Sequence, residues 1–168
     1  MLARVRGRRV AAAATLVLAL AGVKRGVAAD PDRARIALGR RIYQQGRVSD
    51  NPNDDIIIRI GSENSIEVAA WTLPCMTCHG EGGRGGIAVQ DTLPPDIRWP
   101  TLHRAVVTAT GRKRPAYPDR AAILRAITEG IDAGGNVLDS VMPRFRLQPA
   151  QRRALVAYLE TLRPAGSP

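Results

Sequence analysis

Apolar positions along the chain fall into blocks of different period. The first is the apolar run from Val10 to Val23, which follows Arg4, Arg6, Arg8 and Arg9 and is too short to span a bilayer comfortably. With the small residues Val27-Ala28-Ala29 behind it, the run predicts an export signal over residues 1–29, cleaved to leave Asp30 first. Ala19-Leu20-Ala21 is a second candidate cleavage site, and if the segment is retained it becomes a membrane anchor. The next block is helical, from Pro31 to Gln45. Ile36, Gly39 or Arg40, and Tyr43 make one stripe, with Leu38 and Ile42 beside it. Asp30 is placed to cap this helix, Pro31 suits its first position, and Gly46 ends it.

The pattern then changes to a period of two. Ile56-Ile57-Ile58-Arg59-Ile60, a turn at Gly61-Ser62-Glu63-Asn64, and Ile66-Glu67-Val68 predict a short β-hairpin. Gly80-Glu81-Gly82-Gly83-Arg84-Gly85-Gly86 cannot be regular structure and predicts a loop. Thr92-Leu93-Pro94-Pro95-Asp96-Ile97 predicts an extended segment, and residues 110–118 a further loop. Helical period returns from Arg120 to Glu129, with Ile123, Leu124 and Ile127 on one face, Asp119 as cap and Gly130 as stop. Residues 131–148 read as loop. A last helix starts near Gln148-Pro149 and carries Leu155, Tyr158, Leu159 and Leu162 at i, i+3, i+4 and i+7, ending before Arg163-Pro164. No internal repeat is present. The elements predict an all-α domain over residues 30–168 with one inserted hairpin.

Charge changes the picture only until the leader is set aside. The chain carries 25 Lys/Arg and 15 Asp/Glu, a formal +10. Six of those basic residues and none of the acidic ones lie in residues 1–29, so 19 basic against 15 acidic remain, or +4. That balance gives no reason to expect nucleic acid. The remaining 139 residues make one domain, with a meagre aromatic supply of one Phe, two Trp and three Tyr in the whole chain. A buried prosthetic group would supply the missing apolar bulk.

The chemistry sits in Cys75-Met76-Thr77-Cys78-His79, which holds both cysteines and one of the two histidines. Cys-x-x-Cys-His is the attachment signature of c-type haem. Residues three apart share one face of a helical turn, so both sulfurs can bond to one porphyrin edge while His79 is held beneath the ring. Three other readings compete. A structural zinc site needs four ligands, and only Cys75, Cys78, His79 and His103 are on offer. A thioredoxin-like dithiol wants a βαβ frame, which the pattern lacks. A disulfide across two intervening residues would close too small a loop to stabilise much.

Taken together, the chain resembles the class I monohaem cytochromes c. The resemblance is carried by Gly39 and Tyr43, Cys75-x-x-Cys78-His79-Gly80, Pro95-Asp96-Ile97, and Met142-Pro143 ahead of a helix with Tyr158 and Leu159. It implies N- and C-terminal helices crossing around one covalently bound haem c, with Gly39 meeting the neighbourhood of Tyr158 and Leu159. It implies His79 as proximal and Met142 as distal axial ligand, so that Cys75, Cys78, His79 and Met142 are the cofactor-binding set and His79 and Met142 hold the metal. It also implies that a carbonyl of a Pro-containing loop orients the proximal imidazole; Pro95 matches, with Pro100 as rival. The segments between Tyr43 and Cys75 and between Ile97 and Asp119 are longer than in compact members of the family. Propionate partners there, such as Arg98, Trp99, Arg112 or Tyr117, are therefore not assigned. Among the residues themselves, Met142 lies in a Gly-rich, Pro-stiffened loop suited to a ligand, with His103 as its competitor and core filling as the other use of a lone Met.

The expected function is an exported carrier of single electrons between periplasmic redox proteins, not an independent enzyme. Two alternatives stay open: an electron-relay subunit of a larger periplasmic dehydrogenase, and a haem-based gas sensor or small catalyst whose distal site opens. Arg112-Lys113-Arg114 with Arg144 and Arg146 are the expected docking charges for an acidic partner.

Overall fold

A computed structural model describes residues 30–108 and 111–164; the expected export signal and the tail beyond Pro164 lie outside them. The first helix, α1, spans Pro31–Gln45. The carboxylate of Asp30 accepts from the Asp32 N–H at 3.0 Å, and Pro31 enters without an N–H to satisfy. Gly46 closes the helix in the left-handed region, its N–H donating to the Ile42 carbonyl.

The core gathers between α1 and the last helix, α5, Pro149–Leu159. Ile42 and Tyr43 from α1 and Leu155, Tyr158 and Leu159 from α5 are all buried. The two helices lie in close contact at Gly39, where a Cβ would lie 1.9 Å from the Ala154 carbonyl oxygen and 2.8 Å from the Tyr158 Cβ. Only hydrogen fits there, which explains a glycine inside a helix at a propensity cost of about 1 kcal/mol. The Tyr43 and Tyr158 rings meet beside this contact at 5.3 Å, tilted. The helical hydrogen bonding of α5 ends earlier than its apolar period. Leu162 is buried beyond the last helical residue, and its carbonyl accepts from the Trp99 N–H at 2.9 Å.

The expected hairpin forms from β1, Ile57–Ile60, and β2, Ile66–Ala69, with Ile57 opposite Ala69 and Ile60 opposite Ile66. The all-α expectation needs correcting beyond it. Arg144–Arg146, inside the stretch read as loop, is a strand, β5, that pairs antiparallel with β1 and completes a sheet in the order β2-β1-β5. Ile58 lies opposite Phe145, and both are buried, so this pairing belongs to the core. Three short elements also appear: β4, Lys113–Arg114, in the stretch read as loop, and α3, Trp99–Leu102, and β3, Val106–Val107, which pairs with β4, in a stretch for which no element was predicted. Helix α4, Arg120–Thr128, matches its reading, with the Asp119 carboxylate accepting from the Ala122 N–H at 2.8 Å. Among the described residues no helix is long and apolar enough to cross a membrane.

Candidate haem site

One helical turn, α2, carries the motif from Cys75 to His79. Pro74 enters it extended, and Gly80 leaves it at φ 73° with its N–H on the Met76 carbonyl at 2.8 Å. A single turn puts Cys75 and Cys78 on one face, and both are free thiols. Burial pushes the Cys75 thiol up to about 12 and raises that of Cys78 as well. Neither sulfur therefore has the stabilised thiolate that marks a dithiol redox centre. Among the described residues no group of three His, Cys, Asp or Glu is placed to hold a metal ion, so the zinc reading finds no ligand set. Two neutral thiols side by side instead suit thioether formation.

His79 is buried, and its Nδ1 lies 3.0 Å from the Pro95 carbonyl oxygen. A carbonyl only accepts, so Nδ1 holds the ring proton and Nε2 keeps its lone pair. Burial also lowers the proton affinity of the imidazole below the usual value, against the opposing pull of the Pro95 bond. The ring is thus neutral near pH 7 and offers one nitrogen to a metal. Pro100, the rival, lies within α3 and does not serve this role.

The glycine run keeps this arrangement tight. Its backbone passes close to the proline segment: a Cβ on Gly85 would sit 2.3 Å from the Pro94 carbonyl and 2.5 Å from that of Pro95. Gly85 N–H donates to the His79 carbonyl, Gly86 to Pro94, and Ile97 to Gly83. The segment that presents the Pro95 oxygen is thereby laced to the residues just after His79. From the other side the Tyr43 hydroxyl donates to the Gly80 carbonyl at 2.6 Å, tying α1 to the end of α2.

Met142 is half-buried and packs against the hydrophobic core, in a loop braced by side chains. Asp139 accepts from the Val141 N–H at 2.9 Å and from the Thr92 hydroxyl at 3.0 Å, joining this loop to the proline segment. His103 is exposed at the end of α3, with Nδ1 3.0 Å from the Trp99 carbonyl and its ring on Trp99 at 4.3 Å.

Several charges stand elsewhere than expected. Arg114 and Arg144 are buried, so neither is a docking charge; Arg114 bonds to the Pro115 and Thr101 carbonyls and lies over Tyr117. Arg146 pairs with Glu67, which leaves Arg112 and Lys113 as the exposed pair. Arg98 is committed to Asp96, with Nε 3.0 Å from both carboxylate oxygens. Neither the Thr92–Asp139 tie nor the strand at Arg144–Arg146 is among the expectations drawn from the residues. The alternation Arg144-Phe145-Arg146-Leu147 was the available signal, since period two with Phe145 inward marks a strand.

No curated protein and no solved structure matches the chain. Residues 68–163, more than half of its length, match the family model described as Cytochrome c. The match starts in β2 and runs through α2, His79, Pro95 and Met142 to the end of the core. It implies the class I cytochrome c fold, covalent haem c and haem-based electron transfer, and Cys75-x-x-Cys78-His79 fits the attachment motif. With two neutral thiols on one face of a turn and a buried imidazole aimed by a carbonyl, the chain belongs to the cytochrome c family.

Proposed function

We propose that the protein is an exported carrier that moves single electrons between periplasmic redox partners through one haem. Cys75 and Cys78 would hold the haem by thioethers, His79 would ligate the iron through Nε2, and Met142 would supply the second ligand through its thioether. When bound, the haem would supply one-electron chemistry, at a potential that thioether ligation would raise. The observation that carries this reading is the 3.0 Å approach of His79 Nδ1 to the Pro95 carbonyl, which leaves the buried imidazole a single metal-facing nitrogen.

The chain's own part is to position and to exclude water. The lacing among His79, Gly83, Gly85, Pro94 and Ile97 fixes the proximal ring, and burial of His79 keeps it unprotonated. The bracing of the Met142 loop by Asp139 favours a retained thioether. His103 is a poorer distal ligand, because its ring rests on Trp99 at the exposed end of α3.

Acid denaturation followed by solvent extraction tests the attachment: colour that leaves the polypeptide refutes it. Carbon monoxide tests the carrier role. The reduced protein should bind it slowly or not at all near neutral pH, Met142→Ala should bind it rapidly at a lowered potential, and His103→Ala should change neither. Rapid binding by the unmodified protein would favour a sensor or catalyst instead.

A further inference from the structure

Arg144 is the side chain that the carrier reading leaves without a task. It leads β5, two residues after Met142, and is only 3 % exposed. A guanidinium is rarely buried so far, because removing its charge from water costs several kcal/mol unless every donor finds an acceptor. Here the acceptors are backbone carbonyls. One terminal nitrogen donates to the Met142 oxygen; the other donates to Leu138 at 2.8 Å and, more weakly, to Asp139 at 3.4 Å. All three belong to the segment that carries Met142.

The seat of this guanidinium is made by a glycine. Gly130, read from the sequence as no more than the stop of α4, has φ 74°. A Cβ there would lie 1.9 Å from the Arg144 Nε and 2.1 Å from its Cζ. The planar group therefore rests on bare backbone, and no other residue at position 130 leaves that space. The Leu138 N–H also donates to the Gly130 carbonyl at 2.7 Å, so the same glycine holds the loop from both sides.

Across β1 the residue opposite Arg144 is Arg59, whose Nε is buried without a hydrogen-bond partner. A like charge directly opposite destabilises a strand pair. Arg144 thus stands where ordinary sheet energetics oppose it, and the bonds that offset this all go to one loop.

We propose that Arg144 is the positioning residue for the distal ligand: seated on Gly130 and bonded to the Leu138, Asp139 and Met142 carbonyls, its guanidinium holds the loop so that the Met142 thioether stays on the iron. The assignment rests on Met142 being that ligand. Lysine cannot replace it, because a single ammonium on a flexible stem cannot reach two separated carbonyls in one plane.

The test uses the holoprotein with Arg144→Gln, Arg144→Lys, Gly130→Ala and Met142→Ala. It reads carbon monoxide binding by the reduced form and the thioether-to-iron absorption of the oxidised form, with far-UV circular dichroism as the check on the fold. Losing charge-assisted bonds from the loop should raise the population with Met142 off the iron roughly 10- to 150-fold, and binding should quicken by the same factor. The two Arg144 variants and Gly130→Ala should all show this, with a weakened absorption and retained helix. In a denaturant titration the absorption should be lost ahead of the helix signal in each variant, whereas a merely structural role would shift both together. Should Arg144→Gln not fold, Arg144→Lys and Gly130→Ala are judged by the same readouts. Unchanged binding and absorption in folded Arg144 variants, with Met142→Ala wide open, would overturn the positioning role alone. If Met142→Ala itself changes nothing, the ligand assignment falls and the positioning role falls with it.

Discussion

Replacing Gly39 by alanine sets two opposed effects against each other, and the structure decides which wins. Alanine is favoured over glycine inside a helix by about 1 kcal/mol, so on propensity alone the variant should be more stable. The new Cβ, however, would lie 1.9 Å from the Ala154 carbonyl oxygen, where ordinary contact begins near 3.4 Å. The obstacle is backbone, which has no rotamer to turn aside. Relief requires α1 and α5 to separate by about 1.5 Å, the difference between those two distances. Tyr43, Leu155, Tyr158 and Leu159 pack across the same interface and would lose contact together. Overpacking of this kind costs about 1–3 kcal/mol and sometimes more, and gaps of half an ångström upwards already forfeit a large part of each dispersion contact. Because the obstacle is backbone, the upper end of that range applies, and subtracting the propensity gain leaves a net loss of about 2 kcal/mol, a fall in Tm of roughly 5–10 °C for a domain of this size. The assay is thermal melting of the holoprotein followed at a helix band. Gly82→Ala is the control, since nothing lies within 4 Å of its Cβ position and its φ lies outside the left-handed range. Gly39→Ala melting at or above the parent temperature would refute the reasoning and show that the helices can part without cost.

Tyr43→Phe should keep the ring contact with Tyr158 but leave the Gly80 carbonyl without its donor, lowering stability by about 1–2 kcal/mol in chemical denaturation while haem attachment persists. The Val141 N–H, then the Thr92 hydroxyl, hold the Asp139 carboxyl below its usual range. Its contribution is therefore present above the unfolded value near 3.9 and is lost as pH falls through the lower folded value. Carbon monoxide binding should accordingly be flat from pH 7 to 5 and quicken only below about pH 4, and Asp139→Asn should remove that acid limb. Intact mass of the protein from a host that assembles haem c should correspond to a chain starting at Asp30; a mass retaining Met1 would identify an anchor instead. Electron transfer to an acidic partner should slow as ionic strength rises, with Arg112 and Lys113 as the charges whose removal flattens the dependence.

What could be read from the residues was local. The cap at Asp30, the stop at Gly46, the hairpin around Gly61 and the single turn of the haem motif depend on neighbours a few positions away, and each formed as expected. The family resemblance likewise led to Pro95 as the carbonyl that aims His79, although the choice over Pro100 needed the fold. The misses were long-range. β5 pairs with β1 across more than eighty residues of chain, and three residues of which two are arginines carry little apolar signal. Arg114 and Arg144 looked like surface charges because arginine usually is one. Their acceptors are carbonyls brought together only by folding, and no side-chain pattern marks a carbonyl. The glycine run was expected to be loop, and the close neighbour it actually meets is the Pro94-Pro95 backbone.

β1 is four residues long and borders both β2, which ends six residues before Cys75, and β5, which begins two residues after Met142. Side chains alternate across a sheet, so a slip of one position between β1 and β5 would exchange the surroundings of Phe145 and Arg144 in a single error. The guanidinium would face the apolar layer and the phenyl ring would face the loop carbonyls. Such a misregistered chain would lose its core contact and the brace on the Met142 loop simultaneously. Fidelity of strand pairing and bracing of the Met142 loop are in this way one event, because the guanidinium reaches the loop carbonyls only when β5 is in register.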